Sequence, residues 1–160
     1  LRRVRETVAM PMSDDVKITA ESLKTFAMNL FEAAGVSAEE ASVVAESLVE
    51  SNLCGHESHG VVRVSEYLGL LETGEVKSGV ALDVVSRTAS LLVCDGNYGF
   101  GQVQMRRLID LLEPMTREQG VACGTIRRCG HVGRLGEWVE RLSDRGLAGI
   151  MSVNDNGVLK

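Results

Sequence analysis

The sequence between Cys54 and Tyr67 holds the densest group of side chains capable of chemistry, among them Ser58, His59 and Arg63. An imidazole beside a guanidinium suits a substrate that carries a carboxylate next to a reactive oxygen. Arg63 can hold the carboxylate through two parallel hydrogen bonds. His59 can move a proton, because a free imidazole titrates near pH ~6.5, and Ser58 can orient the imidazole or the substrate oxygen. The alternative interpretation is a polar helix start with a capping serine and a surface histidine.

The same stretch also offers a metal-binding interpretation, because Cys54, His56 and His59 lie close together in the sequence. The zinc motif HExxH needs its histidines four residues apart on a helix, whereas these two are three apart. The remaining cysteines supply no second ligand pair at the usual spacing. The sequence therefore predicts no metal site, and a small zinc hydrolase is kept only as a third hypothesis.

Two glycine-bearing loops are further candidates for ligand contact. The first, residues 95–101, follows an apolar run and opens a helix, but Gln104 stands where a Rossmann fingerprint needs its third glycine. We interpret it as a tight turn from a strand into a helix. The second, residues 127–136, carries His131 at its tip, and its glycines let backbone amides approach an anion. His131 is either a solvated loop side chain or a second catalytic candidate.

Helical spacing in the first half predicts three short amphipathic helices, which must position these residues. Thr19 is the predicted cap of the first helix, and Gly35 ends it. Ser37 and Glu40 form a capping box at the start of the second helix. In such a box the serine oxygen accepts one backbone N–H, and the carboxylate of Glu40 returns to the amide of Ser37.

The third predicted helix begins at Ser58 and ends at Gly74, where a left-handed residue would close it. This placement puts His59 and Arg63 one turn apart on the same side of the helix. The apolar residues of the helix form a stripe on another side, at Val61, Val64, Leu68 and Leu71. The two polar side chains are therefore expected to face a ligand rather than the core.

The second half alternates apolar runs of strand length with helical patterns, which predicts an α/β fold. The predicted strands are residues 81–85, 91–94, 121–126 and 147–153. One predicted helix contains Met105 and Leu108, and Pro114 should end or kink it because proline lacks an N–H and clashes one turn back. A later helix carries Trp138. Such a thin sheet has an uncovered edge, so the chain is expected to be part of a longer protein.

The composition restricts the class of protein. The 160 residues carry a formal net charge of −5, which argues against a nucleic-acid surface, and 44% of them are apolar, enough to bury a core. Four cysteines without a CxxC pair predict reduced thiols in a cytoplasmic protein. No apolar run reaches the ~18 residues of a membrane span. Residues 1–16 are expected to form a flexible tail.

The segment Gly55-His-Glu-Ser-His-Gly-Val-Val-Arg63, followed by Tyr67, resembles the malate/L-lactate dehydrogenase family of the non-Rossmann type. That family also includes ureidoglycolate, sulfolactate and diketogulonate dehydrogenases. Residues 95–102 and 127–136 resemble the same family in the same order, as do the N-terminal helical pair and the last apolar run with Asn154. The ordered set of segments is more specific than any one of them.

The resemblance implies a reversible oxidation of a small 2-hydroxy acid to a 2-oxo acid, with NAD or NADP as cofactor, in a homodimer. Carried over by position, it implies a catalytic role for His59 and, second in rank, for His131. The same resemblance implies that Ser58 and Arg63 bind the substrate. The candidate cofactor contacts are Gly133 and Asn154.

The resemblance also implies the domain organisation. Residues 17–77 would form a helical N-terminal domain, and residues 78–160 would form part of a non-Rossmann α/β cofactor domain. Family members are considerably longer than this chain, so it is expected to be a truncated, N-terminal half of such an enzyme. A non-catalytic fragment that acts as a dimerisation or binding module is the alternative. The chain departs from the family at Arg134, where a small residue is common, and an arginine there could alter substrate or cofactor preference.

Overall fold

A computed structural model describes residues 17–154 of the chain. Helices dominate the first part of this range. The predicted tail at residues 1–16 lies outside the described residues. The three α-helices before the first strand are α1 (Ala20–Ala33), α2 (Ala38–Leu53) and α3 (Val64–Thr73). The cap predictions for α1 and α2 are confirmed, since Thr19 and Ser37 accept hydrogen bonds from the backbone N–H three residues later. Gly35 and Gly74 follow α1 and α3 with positive φ, as a helix end of this type requires.

The second half of the predicted capping box is wrong. The carboxylate of Glu40 is buried and accepts hydrogen bonds from the Ser78 hydroxyl at 2.7 Å and the Gly79 N–H at 2.9 Å. One Nη nitrogen of Arg107 lies 3.4 Å from its other oxygen. The carboxylate of Glu40 is the buried group here, and it needs donors that replace water, which Ser78 and Gly79 supply. The residue therefore connects α2 to the chain segment that leads into the sheet.

The predicted start of the third helix at Ser58 is also wrong. Two 3₁₀ turns come first, at Glu57–His59 and Val61–Arg63, and the α-helix begins only at Val64. Gly60 separates the two turns with an extended backbone. The side chain of Asn52 occupies the place of a Cβ there and accepts a hydrogen bond from the Val61 N–H at 2.8 Å. This tertiary contact to α2 is stronger than the local preference for a continuous helix.

A three-stranded sheet follows in the described residues, in the order β1 (Asp83–Arg87), β2 (Leu91–Asp95) and β3 (Cys123–Arg127). β1 pairs with β2 in the antiparallel direction, and β2 pairs with β3 in parallel through α4 (Gly101–Gln119). The helix α5 (Leu135–Asp144) comes after β3. The mixed α/β fold predicted from the sequence is confirmed.

The fourth predicted strand, at residues 147–153, is not formed. This segment has no strand pairing within residues 17–154, and Ile150 in it is fully exposed. A strand needs a neighbour to satisfy its backbone groups, and an apolar run alone supplies none. The sheet consequently has three strands in the described residues and not four.

Pro114 neither ends nor interrupts the helix in which it lies. α4 continues past it to Gln119, and Gly120 closes the helix with a positive φ. Proline removes one hydrogen bond to the carbonyl of Asp110, one turn earlier. Both residues are exposed, so water can satisfy that carbonyl, and the buried face of α4 holds the helix together.

Two apolar clusters form the core. The first packs α1, α2 and α3 around Phe31, Leu48 and Tyr67, and it also includes Phe100 and Val103 from the start of α4. The second lies between the sheet and its helices, with Leu92, Cys94, Leu108, Ile109, Met115 and Trp138. The N-terminal end of α4 therefore belongs to the helical cluster, and its later turns belong to the cluster beneath the sheet. The predicted division at residues 77 and 78 stays a prediction.

Replacing Glu40 is expected to destabilise the fold. Glu40→Ala removes the shared acceptor of the Ser78 hydroxyl and the Gly79 N–H, which we expect to lower the free energy of unfolding by about 1–2 kcal/mol. Glu39→Ala is the matched control, because Glu39 is the exposed neighbour on the same helix. Urea unfolding of both variants measures the difference. Equal stability of the two variants would contradict the bridging role.

Candidate active site

The two 3₁₀ turns place Ser58, His59 and Arg63 side by side, although no α-helix runs through them. The Ser58 hydroxyl oxygen lies 3.0 Å from His59 Nδ1. Arg63 Nε donates a hydrogen bond to the Ser58 carbonyl at 2.6 Å, which folds the arginine side chain back over the turn. The structure thus brings together the three residues predicted around the substrate, by a different local geometry from the one expected.

Arg63 already has one carboxylate partner within the chain. Its Nη1 donates to Glu66 Oε2 at 2.6 Å, and both side chains are partly exposed. A substrate carboxylate that binds Arg63 through two parallel hydrogen bonds would lie close to the carboxylate of Glu66 and be repelled by its negative charge. Glu66 was not identified from the sequence. Its position three residues after Arg63 on a helical turn is the signal that could have found it.

His59 is held in the form that can accept a proton. Burial lowers its pKa from the usual 6.5, and the positive charges of Arg63 and His56 lower it further. The imidazole is therefore mostly neutral at neutral pH, and it can take a proton from a hydroxyl group. The same arginine that could hold a carboxylate also keeps His59 available as a base.

His131 comes from the second glycine loop to lie beside His59. The centres of the two imidazole rings are 5.3 Å apart, with the ring planes tilted by 34°. His131 Nδ1 lies 2.7 Å from the hydroxyl oxygen of Tyr67, which is the side chain one turn after Arg63 on α3. The structure therefore joins the two histidines that the sequence singled out separately.

The two glycine loops seat His131 by packing against each other. The Gly130 N–H donates to the Gly99 carbonyl at 2.9 Å, and the Tyr98 N–H donates to the Arg128 carbonyl at 2.7 Å. A side chain at Gly101 would collide with the backbone carbonyl of His131. The first loop is therefore the tight strand-to-helix turn predicted for it, and its missing side chains make room for the second loop.

Gly133 and Asn154, the candidate cofactor contacts, lie in different surroundings. Gly133 is buried with a φ of +76°, and a Cβ on it would lie 3.1 Å from Ser47 Oγ and 3.4 Å from Gln102 Nε2. Asn154 is exposed at the end of the described range. A surface groove of about 510 Å³ is lined by Gly79, Val80, Ala81, Leu82, Arg107, Asp110 and Leu111 and shares no residue with either. Both cofactor contacts therefore stay predictions.

Arg134 does not act as a loose cation beside the site. Its guanidinium is almost fully buried and donates to both carboxylate oxygens of Glu140, at 2.8 and 2.6 Å. Its charge is therefore matched within α5 and the loop before it. Among residues 17–154, no group of three or more His, Cys, Asp or Glu side chains could hold a metal ion. In the same range no helix is long and apolar enough to cross a membrane.

The fold described here is found in solved dehydrogenase structures. Malate dehydrogenase from Pyrococcus horikoshii OT3 superposes with a TM-score of 0.79 at 28% identity, over 82% of this chain and 38% of that one. Sulfolactate dehydrogenase from Methanocaldococcus jannaschii superposes with a TM-score of 0.76 at 26% identity, over 79% of this chain and 37% of that one. The mixed α/β arrangement thus corresponds to more than a third of a dehydrogenase chain.

Sequence comparison identifies the family. The family model for malate/L-lactate dehydrogenase matches residues 18–159, and the chain belongs to this family. L-lactate dehydrogenase from Cupriavidus necator is 33% identical over 131 residues, which cover 82% of this chain and 38% of the relative. Hydroxycarboxylate dehydrogenase B from Escherichia coli (strain K12) is 27% identical over 147 residues, 92% of this chain and 41% of the relative. The chain spans about two fifths of the length of these curated relatives.

The pKa of His59 is expected to rise when the charge of Arg63 is removed. Arg63→Ala eliminates one of the two positive charges that lower the pKa of this imidazole, so His59 would stay protonated to higher pH. An NMR titration of the His59 ring in both proteins measures the shift. Arg117→Ala, a change on the remote helix α4, is the control and should leave the titration of His59 unchanged. Identical titrations in wild type and Arg63→Ala would contradict the coupling.

Proposed function

We propose that this chain carries the substrate-binding part of an NAD(P)-dependent dehydrogenase that interconverts a small 2-hydroxy acid and its 2-oxo acid. The observation that carries the proposal is the pairing of the His59 and His131 rings, 5.3 Å apart, next to the turn that holds Arg63. Two imidazoles can handle the proton of a hydroxyl group, and a guanidinium can fix the carboxylate beside it. The names of the relatives, which include malate, lactate and sulfolactate dehydrogenases, support the same substrate class.

In this proposal each residue of the turn has a separate task. Arg63 binds the carboxylate and sets the orientation of the substrate. His59, neutral because its pKa is lowered, takes the proton of the 2-hydroxyl group during oxidation and returns it during reduction. Ser58 orients His59 through the contact at Nδ1. His131, which faces the same imidazole, is the second candidate for the proton transfer.

The cofactor of the whole protein in this proposal is NAD or NADP, with Gly133 and Asn154 as candidate contacts in this chain. The name of one relative, (2R)-3-sulfolactate dehydrogenase (NADP(+)) from Chromohalobacter salexigens, supports this class of cofactor. We extend the proposal to a homodimer in the cytoplasm and to a domain division at residues 17–77 and 78–160. The four cysteines are unpaired in the structure, which favours a reducing compartment.

Kinetics of the whole protein with malate, lactate and sulfolactate test the assignment of roles. Arg63→Ala should raise KM at least about 10-fold, because the carboxylate loses a charged hydrogen-bond partner. His59→Ala should lower kcat about 10²- to 10⁴-fold, the usual contribution of a positioned proton acceptor. Arg117→Ala is the control, since Arg117 is an exposed cation near the end of α4. Unchanged kinetics in Arg63→Ala would refute its role, and an intact kcat in His59→Ala would move the acid/base task to His131.

Glu66 is expected to weaken the binding of acidic substrates, because it competes for Arg63 and repels their negative charge. Glu66→Gln keeps the size of the side chain and removes its charge, so KM should fall about 2- to 5-fold, as expected for a partly exposed charge. The effect should be larger for malate than for lactate, because malate carries a second carboxylate. Glu57→Gln, a change at another exposed acid of the same segment, is the control. A rise in KM for Glu66→Gln would show instead that Glu66 positions Arg63.

A further inference from the structure

Backbone strain is concentrated where the two glycine loops meet. In the part of the chain that the structure describes, three residues other than glycine have a positive φ, and all three lie here: Asn97 (+50°), Tyr98 (+62°) and Arg128 (+49°). Residues with a Cβ rarely adopt this left-handed region, because the Cβ crowds the backbone. Such strain persists only where surrounding contacts hold it, and it is common at functional sites. Arg128 lies three residues before His131, so its backbone leads directly into the candidate site.

The carboxylate of Asp95 holds the side chain of Arg128. Asp95 is the last residue of β2, and its side chain is almost fully buried. Arg128 Nε lies 3.0 Å from Oδ1 and 2.9 Å from Oδ2 of Asp95, and Arg128 Nη2 also donates to Oδ2. The Asn97 N–H donates to Oδ1 at 3.0 Å, so one carboxylate contacts both loops. The hydrogen bonds from Arg128 are the main cause that lowers the pKa of Asp95 to about 2, so the carboxylate is charged at neutral pH.

Arg127 offers a matched comparison within the same ion-pair cluster. Its Nε donates to Oδ2 of Asp95 at 3.0 Å, so it shares the partner and the charge of Arg128. Arg127 is the last residue of β3, where the backbone is extended and free of strain, and its carbonyl accepts a hydrogen bond from the Gly96 N–H at 2.9 Å. The two arginines therefore differ in their backbone conformation, and only Arg128 needs a contact that holds φ positive.

The conformation of Arg128 decides the direction in which the loop continues. Two residues later the Gly130 N–H reaches the Gly99 carbonyl at 2.9 Å, and His131 then lies 2.7 Å from the Tyr67 hydroxyl oxygen. A right-handed or extended backbone at Arg128 would turn the chain away from Gly99. His131 would then lose its place beside Tyr67.

We propose that Asp95 is a positioning residue whose ion pair with Arg128 holds the left-handed backbone there and thereby places His131 at the candidate site. Asp95 was not identified as a site residue from the sequence, and the roles proposed above do not use it. It acts on His131 only through the loop, so its effect is on position and not on the chemistry of the imidazole. The meaning for catalysis rests on the proposed function, in which His131 is a candidate for the proton transfer.

NMR of the isotopically labelled full chain, without substrate or cofactor, measures the position of His131 directly. The ring centres of Tyr67 and His131 are 6.1 Å apart, which predicts nuclear Overhauser effects between the two rings in the wild type. Asp95→Asn keeps the size of the side chain and an acceptor for the Asn97 N–H, but it turns an NH₂ group towards the arginine donors. The effects between the two rings should be lost. Adding Arg128→Gly to Asp95→Asn should restore them, because glycine adopts a positive φ without an ion pair.

Single substitutions at the two arginines separate backbone strain from charge. Both Arg128→Gly and Arg128→Ala remove the guanidinium, but only glycine relieves the strain, so Arg128→Gly should unfold at the higher urea concentration and keep the effects between the rings. At Arg127 the order should be reversed, with Arg127→Ala more stable than Arg127→Gly, because glycine weakens a strand. This comparison remains available if Asp95→Asn does not fold.

Three results would overturn the proposal: unchanged effects between the rings in Asp95→Asn, no recovery on adding Arg128→Gly, or an Arg128→Gly variant no better than Arg128→Ala. These readouts need no activity, so they can succeed even if the kinetics refute the proposed dehydrogenase roles. In the whole protein, Asp95→Asn should lower kcat about 10- to 100-fold, as a misplaced catalytic group does. KM should change little, because Arg63 lies on another turn, and Arg127→Ala should leave both constants unchanged. Loss of the ring contact with an intact kcat would refute the catalytic role of His131 and leave the positioning by Asp95 confirmed.

Discussion

The hydrogen bond between Tyr67 and His131 is the contact on which the rest of the site depends. A tyrosine buried in an apolar cluster needs a partner for its hydroxyl, and here the partners come from elements far along the chain. The need to satisfy this one group fixes where the loop of His131 must lie relative to α3. Because His59 belongs to the turn just before α3, the same contact brings the two imidazoles together.

Close backbone packing makes this arrangement possible. Gly99, Gly101 and Gly130 let the loop after β2 and the loop after β3 approach to hydrogen-bond distance. Both loops follow the carboxyl ends of parallel strands, which lie at the same edge of a sheet. The glycines thus do not form the phosphate-binding turn of a Rossmann fold. They allow one loop to support another, and the supported loop carries a candidate catalytic side chain.

Acidic residues of α2 hold the helical part against the helices of the α/β part. Glu46 accepts hydrogen bonds from Arg106 on α4 and Arg141 on α5. Burial alone would raise the pKa of Glu46, but the hydrogen bond from Arg141 and the charge of Arg106 lower it to about 2. Ser47, the next residue, donates to the buried carboxylate of Glu137 at 2.5 Å. These contacts fix the positions of α4 and α5 relative to α2. The loop that carries His131 lies directly before α5, so its position depends on them.

Local sequence by itself determined the elements whose signals are local: the caps at Thr19 and Ser37, the left-handed Gly74, the α/β alternation and the residues of the turn around His59. Tertiary structure decided the features that depend on a distant partner. Asn52 breaks the helix expected at Ser58, a missing neighbour leaves residues 147–153 unpaired, and Glu40 turns to donors far along the chain. The contact of Gln102 with the Tyr67 hydroxyl could not be found from the sequence, because the two residues meet only in the folded chain. The spacing of residues in the sequence indicates which side chains share one helical turn. Which buried polar groups pair with each other depends on the three-dimensional packing.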